Sequence, residues 1–336
     1  MVKRKFGIVG CQHAHIGIFI EEMLRLGHTF AGIWEPGDTV LARRLAETHG
    51  GQLLTDREAL LAEDVSVIGC AAVNADKIDV VEWCERHGKH VMLDKPAVVD
   101  RAGLERLREA IGRGRIEVGM LLTERYRAST RTAKRLIEEG VIGDIVHIGM
   151  RKPHRLNPAG RPAWHFDKAL SGGIIVDLLI HDFDLLRWLT GRELRSVEGC
   201  MGKEAGSPHP GFYDTASVQA VMEGGITAQL YADWFTPAGS WTWGDGRMFV
   251  TGTRGTLELR LEGDPLLETD EALLMTTDAE PWHRVRELEP AALVTADFLS
   301  RLDGGACMLA HRDLLAASEA AISADERALR IERSRD

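Results

Sequence analysis

The sequence lacks any Cys-x-x-Cys pair. Its five cysteines, Cys11, Cys70, Cys84, Cys200 and Cys307, are odd in number and scattered. That pattern argues against a disulfide framework and a cysteine-built zinc site, and predicts free thiols in a reducing compartment. A basic surplus is missing too: 41 Lys and Arg stand against 51 Asp and Glu, a formal net charge of −10. Nucleic acid and anionic membrane are therefore not expected as partners, because nothing offsets phosphate charge. The short cluster Lys3-Arg4-Lys5 reads as solvated. No apolar run is long enough to span a bilayer, and the first residues lead straight into a strand without a signal-like segment, so a cytoplasmic protein is expected. Internal repeats and low-complexity tracts are also absent. What is present is a globular composition, 44% hydrophobic and 27% charged. At 336 residues the chain is too long for one ordinary core, which predicts two domains.

Residues 5 to about 122 alternate short apolar runs (Phe6–Val9, Phe30–Trp34, Val65–Cys70, His90–Leu93, Ile116–Leu121) with helical patterns such as Thr39–Thr48 and Ala75–His87. Thr55 with Glu58 forms a capping box, and Asn74 is a cap for the next helix. This rhythm predicts an α/β fold: a parallel, doubly wound sheet with helices on both faces, over residues 1–123. Ligands bind such sheets beyond the carboxyl ends of the strands. Those ends are Gly10-Cys11, Trp34-Glu35, Ala71–Asn74 and Asp94-Lys95-Pro96. From 124 to 336 the pattern is a helix (Ala128–Glu139), a strand from Asp144, a polar loop over Lys152–Lys168, then strands joined by Gly-rich turns and a final helix over Leu309–Ala321. That predicts an α+β domain with a mostly antiparallel open sheet.

Within the second half, Ser171–Leu189 reads as a buried helix, opened by Gly172-Gly173 and stopped by Gly191. Asp177, His181 and Asp184 are spaced four and three apart, so they share one face. A polar seam, with Asp184 pairing Arg187 and His181 pairing Asp177, is one reading. An acid/base site in which an aspartate orients a histidine is the other, since burying ionisable groups is costly and perturbed pairs cluster at functional sites.

The first strand ends in Gly10-Cys11-Gln12-His13-Ala14-His15, where a dinucleotide fold carries Gly-x-Gly-x-x-Gly. Only Gly10 matches; Gln12 and His15 hold the other glycine positions. Glu35, about 25 residues on, is placed to accept hydrogen bonds from the ribose hydroxyls of NAD and to repel a 2′-phosphate; a plain surface acid is its alternative. His13 and His15 raise the question of a metal, but no Asp or His at a later strand end is identified to complete a ligand set, so no metal is expected. Lys95, held by the following Pro96, is a candidate to bind and deprotonate a substrate hydroxyl.

The order of these features resembles the Gfo/Idh/MocA oxidoreductases. The matching pieces are Gly88-Lys89-His90-Val91-Met92-Leu93-Asp94-Lys95-Pro96, Arg125-Tyr126, Glu139-Gly140-Val141-Ile142-Gly143-Asp144, the Gly172-Gly173 to His181 run, and Val250-Thr251-Gly252-Thr253-Arg254-Gly255-Thr256-Leu257. The resemblance covers nearly the whole chain. It implies a Rossmann domain followed by a domain whose open sheet often serves oligomerisation, and hydride transfer between NAD(P) and a carbinol carbon of a sugar or cyclic polyol. It further implies a catalytic group of Lys95, Asp177 and His181: Lys95 on the reacting hydroxyl, His181 taking its proton, Asp177 steadying the charge. Asp94 stands in for the usual glutamate, and Lys77 where the family often has histidine.

The resulting expectation is an oxidoreductase using NAD rather than NADP. The cofactor is expected over Gly10, Cys11, Gln12, His13, Glu35, Asn74, Asp94 and Lys95, and the sugar or polyol near Arg125, Tyr126, Trp164 and His165, between the nicotinamide and the central helix. A homodimer or homotetramer is expected. Alternatives are a non-catalytic nucleotide-binding sensor and an NAD-dependent glycoside-cleaving enzyme with transient oxidation.

Overall fold

Alternation of apolar strand and amphipathic helix from residue 5 to residue 120 builds a five-stranded parallel sheet in the computed structural model, which describes residues 2–204, 208–264, 266 and 270–334. The elements in order are β1 (Lys5–Cys11), α1 (Ile16–Arg25), β2 (Thr29–Trp34), α2 (Val40–Thr48), β3 (Val65–Ala71), α3 (Lys77–Arg86), β4 (His90–Leu93), α4 (Arg101–Gly112) and β5 (Val118–Met120). Strand order is β2-β1-β3-β4-β5, and every pairing is parallel. A single parallel bridge, Ile33 to Leu53, extends the sheet beyond β2. Counting it, the order is that of a dinucleotide-binding doubly wound sheet, with the reversal between β1 and β3. Phe6, Ile8, Val67, Ile68, Val91 and Leu93 are all fully buried, as strands covered on both faces must be.

Two local expectations change. The 3₁₀ turn over Arg57–Leu61 is capped by Asp56, whose carboxylate accepts the Glu58 N–H at 3.0 Å, so Thr55 is not the cap. Asn74 lies inside a 3₁₀ turn and donates its side-chain amide to the Ser171 carbonyl at 2.9 Å. Its amide is thus spent on a tie to residue 171, 97 positions away.

Residues 1–122 form this first compact unit together with 162–172 and 293–319. The returning stretches contain α6 (Lys168–Ser171), α9 (Val294–Leu302) and the first turns of α10 (His311–Arg327). Polar anchors hold them: the Thr295 N–H donates to the Glu22 carboxylate at 2.8 Å, and the Val118 N–H to His311 Nε2 at 3.1 Å.

The second unit comprises 123–161, 173–292 and 320–336. Its helices are α5 (Ala128–Glu138), α7 (Gly173–Leu178) and α8 (Ile180–Thr190). Its strands are β6 (Ile145–Pro153), β7 (Leu194–Glu204), β8 (Thr215–Met222), β9 (Thr227–Asp233), β10 (Arg247–Gly252), β11 (Gly255–Arg260), β12 (Ala272–Thr277), β13 (His283–Arg284) and β14 (Leu329–Arg333). They form one sheet of nine strands, ordered β13-β12-β11-β10-β6-β9-β8-β7-β14, antiparallel except where β6 meets β9 and β7 meets β14. Period-two alternation puts Ile148, Val218, Ala228, Leu230, Val250, Leu257 and Leu259 on a buried face, which α5, α7 and α8 contact. Register aligns these residues across the strands, Ile148 with Val250 and with Ala228, and Val218 with Leu230. The opposite face presents Arg151, Gln229, Tyr231 and the exposed Phe249.

The central apolar run is one helix in sequence but two in space: α7 and α8 meet at Leu179. Gly172 and Gly173, with φ of 87° and 79°, make the turn into it, and Gly191 at 63° ends it, conformations that side chains with a Cβ rarely adopt. Among the described residues, no helix is long and apolar enough to cross a membrane.

Candidate functional site

In the first unit, the candidate residues collect where the strands end. Gly10 has φ +78°, and a Cβ there would lie 2.5 Å from the Ala72 Cβ, so only glycine lets β1 turn away this close to β3. Glu35, at the end of β2, is 8% exposed. Its two carboxylate oxygens accept the Cys11 N–H at 2.5 Å and the Gly37 N–H at 2.6 Å. Burial, with Glu35 adding to it, pushes the Cys11 thiol up to about 12, so that thiol is inert as a nucleophile. Gln12 donates its side-chain amide to the Asp38 carbonyl at 3.2 Å, tying the loop after β1 to the loop after β2.

The Asp94-Lys95-Pro96 segment, joined by a cis peptide bond before Pro96, is held from beneath. Lys77, fully buried at the start of α3, donates from Nζ to the carbonyls of Asp94 (2.8 Å), Lys95 (3.2 Å) and Pro96 (3.1 Å). One ammonium thereby fixes three consecutive peptide units around Lys95, itself 5% exposed. Charge-assisted bonds of this kind are about twice as strong as neutral ones. The Asp94 carboxylate lies 2.7 Å from His13 Nδ1, 3.4 Å from His15 Nδ1 and 3.9 Å from Lys77 Nζ. Burial alone would raise the Asp94 carboxyl, but His13 and Lys77 hold it well below the usual range. Burial lowers His13 more than Asp94 raises it. Sequence reasoning identified no completing carboxylate for His13 and His15; Asp94, just past the end of β4, is one. Parallel strands bring their carboxyl ends to a single rim, and β4 is only two places from β1.

Trp164 and His165 also belong to the first unit, in its 162–172 stretch. His165 is buried, and the two rings meet edge-on with centroids 6.1 Å apart.

In the second unit the helical stripe finds partners from elsewhere. Asp184 pairs with Arg125, not with Arg187: Arg125 Nε and Nη2 each donate at 2.6 Å to the Asp184 oxygens, and both side chains are 1% exposed. The Arg125 guanidinium also stands 5.8 Å from the Trp188 ring. Arg125 and Tyr126 were expected at the substrate, but both are buried, and this geometry gives Arg125 to the core. Arg187 pairs with Glu193. Half-buried Asp177 lies within electrostatic reach of Arg161, whose guanidinium stacks over Trp234 (4.9 Å) and Trp243 (5.6 Å).

His181 is 5% exposed and belongs to a buried cluster that includes Glu124, Lys152 and Asp182. Lys152 Nζ is 3.1 Å from one Glu124 oxygen, and Arg127 Nε donates to the other at 2.6 Å. Burial would raise Glu124, but Lys152, Arg127 and His181 hold it well below the carboxylate range. Asp182 goes the other way: burial, with Glu124 adding and Lys152 opposing, pushes it up to about 7. A neighbouring acid and base with opposed shifts can hold and pass a proton near neutral pH. Sequence reasoning missed Glu124, Lys152, Asp182 and Arg161. Only Asp182, a charge inside an apolar helix, left a signal.

Comparison with known proteins finds similarities over parts of the chain. Residues 130–258 match the GFO/IDH/MocA C-terminal domain. That stretch, 129 of the 336 residues, is similar to the family's C-terminal domain. The chain is 27% identical over 235 residues to inositol 2-dehydrogenase 2 of Saccharopolyspora erythraea, covering 67% of this chain and 65% of that protein. It is 30% identical over 188 residues to scyllo-inositol 2-dehydrogenase (NAD(+)) of Bacillus subtilis, covering 53% and 50%. The chain thus matches less than two thirds of the length of either curated relative. In fold it is similar to levoglucosan dehydrogenase solved with NADH, with a TM-score of 0.81 over 97% of both chains at 18% identity.

Proposed function

We propose that this protein is a nicotinamide-dependent oxidoreductase of the Gfo/Idh/MocA type that moves a hydride between its cofactor and a secondary alcohol, or the matching ketone, of a cyclic polyol or sugar. The observation that carries the reading is the anchoring of Lys95. A buried ammonium spends three hydrogen bonds on the backbone that presents one lysine, an investment that packing alone does not require. The names of the relatives, inositol dehydrogenases in sequence and an NADH-bound sugar dehydrogenase in fold, point the same way.

The residues of the first unit suit a dinucleotide. The sheet reverses between β1 and β3, Gly10 permits a close backbone approach, and Glu35 sits where ribose hydroxyls would be accepted and a 2′-phosphate repelled, which favours NAD over NADP. Cys11, Gln12, His13, Asn74 and Asp94 complete that rim. When bound, the nicotinamide supplies the hydride acceptor or donor. In this assignment Lys95 hydrogen-bonds the reacting oxygen and His181 takes the proton that alcohol oxidation releases. Asp177 steadies the charge, and Asp182 and Glu124 set the proton affinity around His181. Trp164 and His165 are assigned to the sugar. The open sheet face around Tyr231 and Phe249 supports assembly as a homodimer or homotetramer.

The test is a panel of inositols, aldoses and their keto derivatives, assayed for NADH formation or consumption in wild type and in Lys95→Ala. Loss of the Lys95 donor to the reacting oxygen lowers kcat by about 10²–10³-fold, while fluorescence titration shows NADH binding retained. Full turnover in Lys95→Ala refutes the assignment.

A further inference from the structure

We propose that His13, His15 and Asp94 form a binding site for one divalent metal ion of the zinc class. One ligand atom from each residue lies within 4.8 Å of the others, with His13 Nδ1 2.7 Å and His15 Nδ1 3.4 Å from the two Asp94 oxygens. Zinc bonds of ~2.0–2.1 Å in a tetrahedron separate neighbouring ligands by roughly 3.3 Å. The three groups therefore stand near ligand spacing already. Two imidazoles and a carboxylate suit zinc or cobalt, whereas magnesium and calcium take oxygen.

The frame is fixed independently of any ligand. The Gln12 N–H donates to the Ala71 carbonyl and the Asp94 N–H to the Cys70 carbonyl, each at 2.7 Å, so both ligand-bearing loops are tied to β3. Asp94 is fully buried while the His15 side chain is 45% exposed. The site is closed beneath and open above, leaving the remaining coordination position to water or another oxygen ligand. Lys77 lies 3.9 Å from Asp94 and opposes the metal charge, so the affinity is expected to fall below that of a structural zinc site.

Chelator-stripped full-length protein, without nucleotide, is titrated with Zn²⁺ by calorimetry and with Co²⁺ by visible absorption. The oxidoreductase reading plays no part in this measurement, so either proposal can fail alone. One equivalent is expected to bind. His15→Ala, at an exposed position and with circular dichroism unchanged, weakens binding beyond the roughly 10–100-fold that loss of a mere supporting contact costs. His13→Ala does the same and abolishes the cobalt band. Absence of saturable one-equivalent binding, or a loss in His15→Ala no greater than the roughly 100-fold of a supporting contact, overturns the proposal.

Discussion

Asp182→Asn will remove a defined part of the pH dependence of stability. The carboxyl is 4% exposed, and burial, reinforced by Glu124 against Lys152, lifts it from 3.8 to about 7. An acid whose pKa is raised on folding binds its proton more tightly in the folded than in the unfolded chain, so its contribution is lost as pH rises. The loss begins near 3.8 and is complete above about 7. At about 1.4 kcal/mol per unit, the interval from pH 5 to pH 7 removes ~3 kcal/mol, and the whole interval ~4 kcal/mol. Asparagine copies the shape of the protonated acid without its charge, so the variant should gain ~3 kcal/mol on wild type between pH 5 and pH 8. Buried histidines act in the opposite sense. His28, His90 and His311 are lowered by burial, His311 to about 4, and they add stability as pH rises toward 6.5. They are common to both proteins and cancel in the difference. Urea unfolding at pH 5, 6, 7 and 8, followed by circular dichroism, measures it, with an unchanged m-value showing that the same surface unfolds. A difference that stays constant with pH refutes the reasoning.

Two further substitutions probe the buried ion pairs. Arg125→Met leaves Asp184 charged and alone at a 1%-exposed site and should cost ~3–5 kcal/mol, whereas Arg125→Met with Asp184→Leu recovers most of it; urea unfolding of the four proteins gives the coupling directly. Lys77→Met removes the donor to three carbonyls. It should destabilise by on the order of 3 kcal/mol and lower kcat in the same substrate panel. Normal kcat in a destabilised Lys77→Met protein shows that Lys77 does not position Lys95.

The parallel sheet was legible because each strand is a short apolar run between helical patterns, and fully buried parallel strands leave that signature. The Leu53 bridge was not, since one residue has no period. The central stretch shows where such reading stops. Its buried character and glycine boundaries follow from composition, and both hold. The partners of its polar residues do not follow, because spacing within a helix reports only neighbours on that helix. Asp184 goes to Arg125, 59 positions earlier, and Asp177 feels Arg161. Glu124 and Lys152 join His181 from outside the helix altogether. The returning stretches 162–172 and 293–319 are equally silent, being held by hydrogen bonds such as Asn74 to Ser171 that carry no periodic mark.

The loop after β1 carries the same lesson into function. Read as a motif, Gln12 and His15 are missing glycines. In space they are contacts: Gln12 reaches the Asp38 carbonyl beyond β2, and His13 and His15 reach Asp94 beyond β4. A glycine loop offers a ligand bare backbone amides. This one offers imidazole nitrogens and an amide already braced against neighbouring strands. Whatever binds at the carboxyl rim of this sheet therefore meets side chains first, and its affinity should respond to substitution at His13 and His15 in a way that a backbone-only cradle cannot.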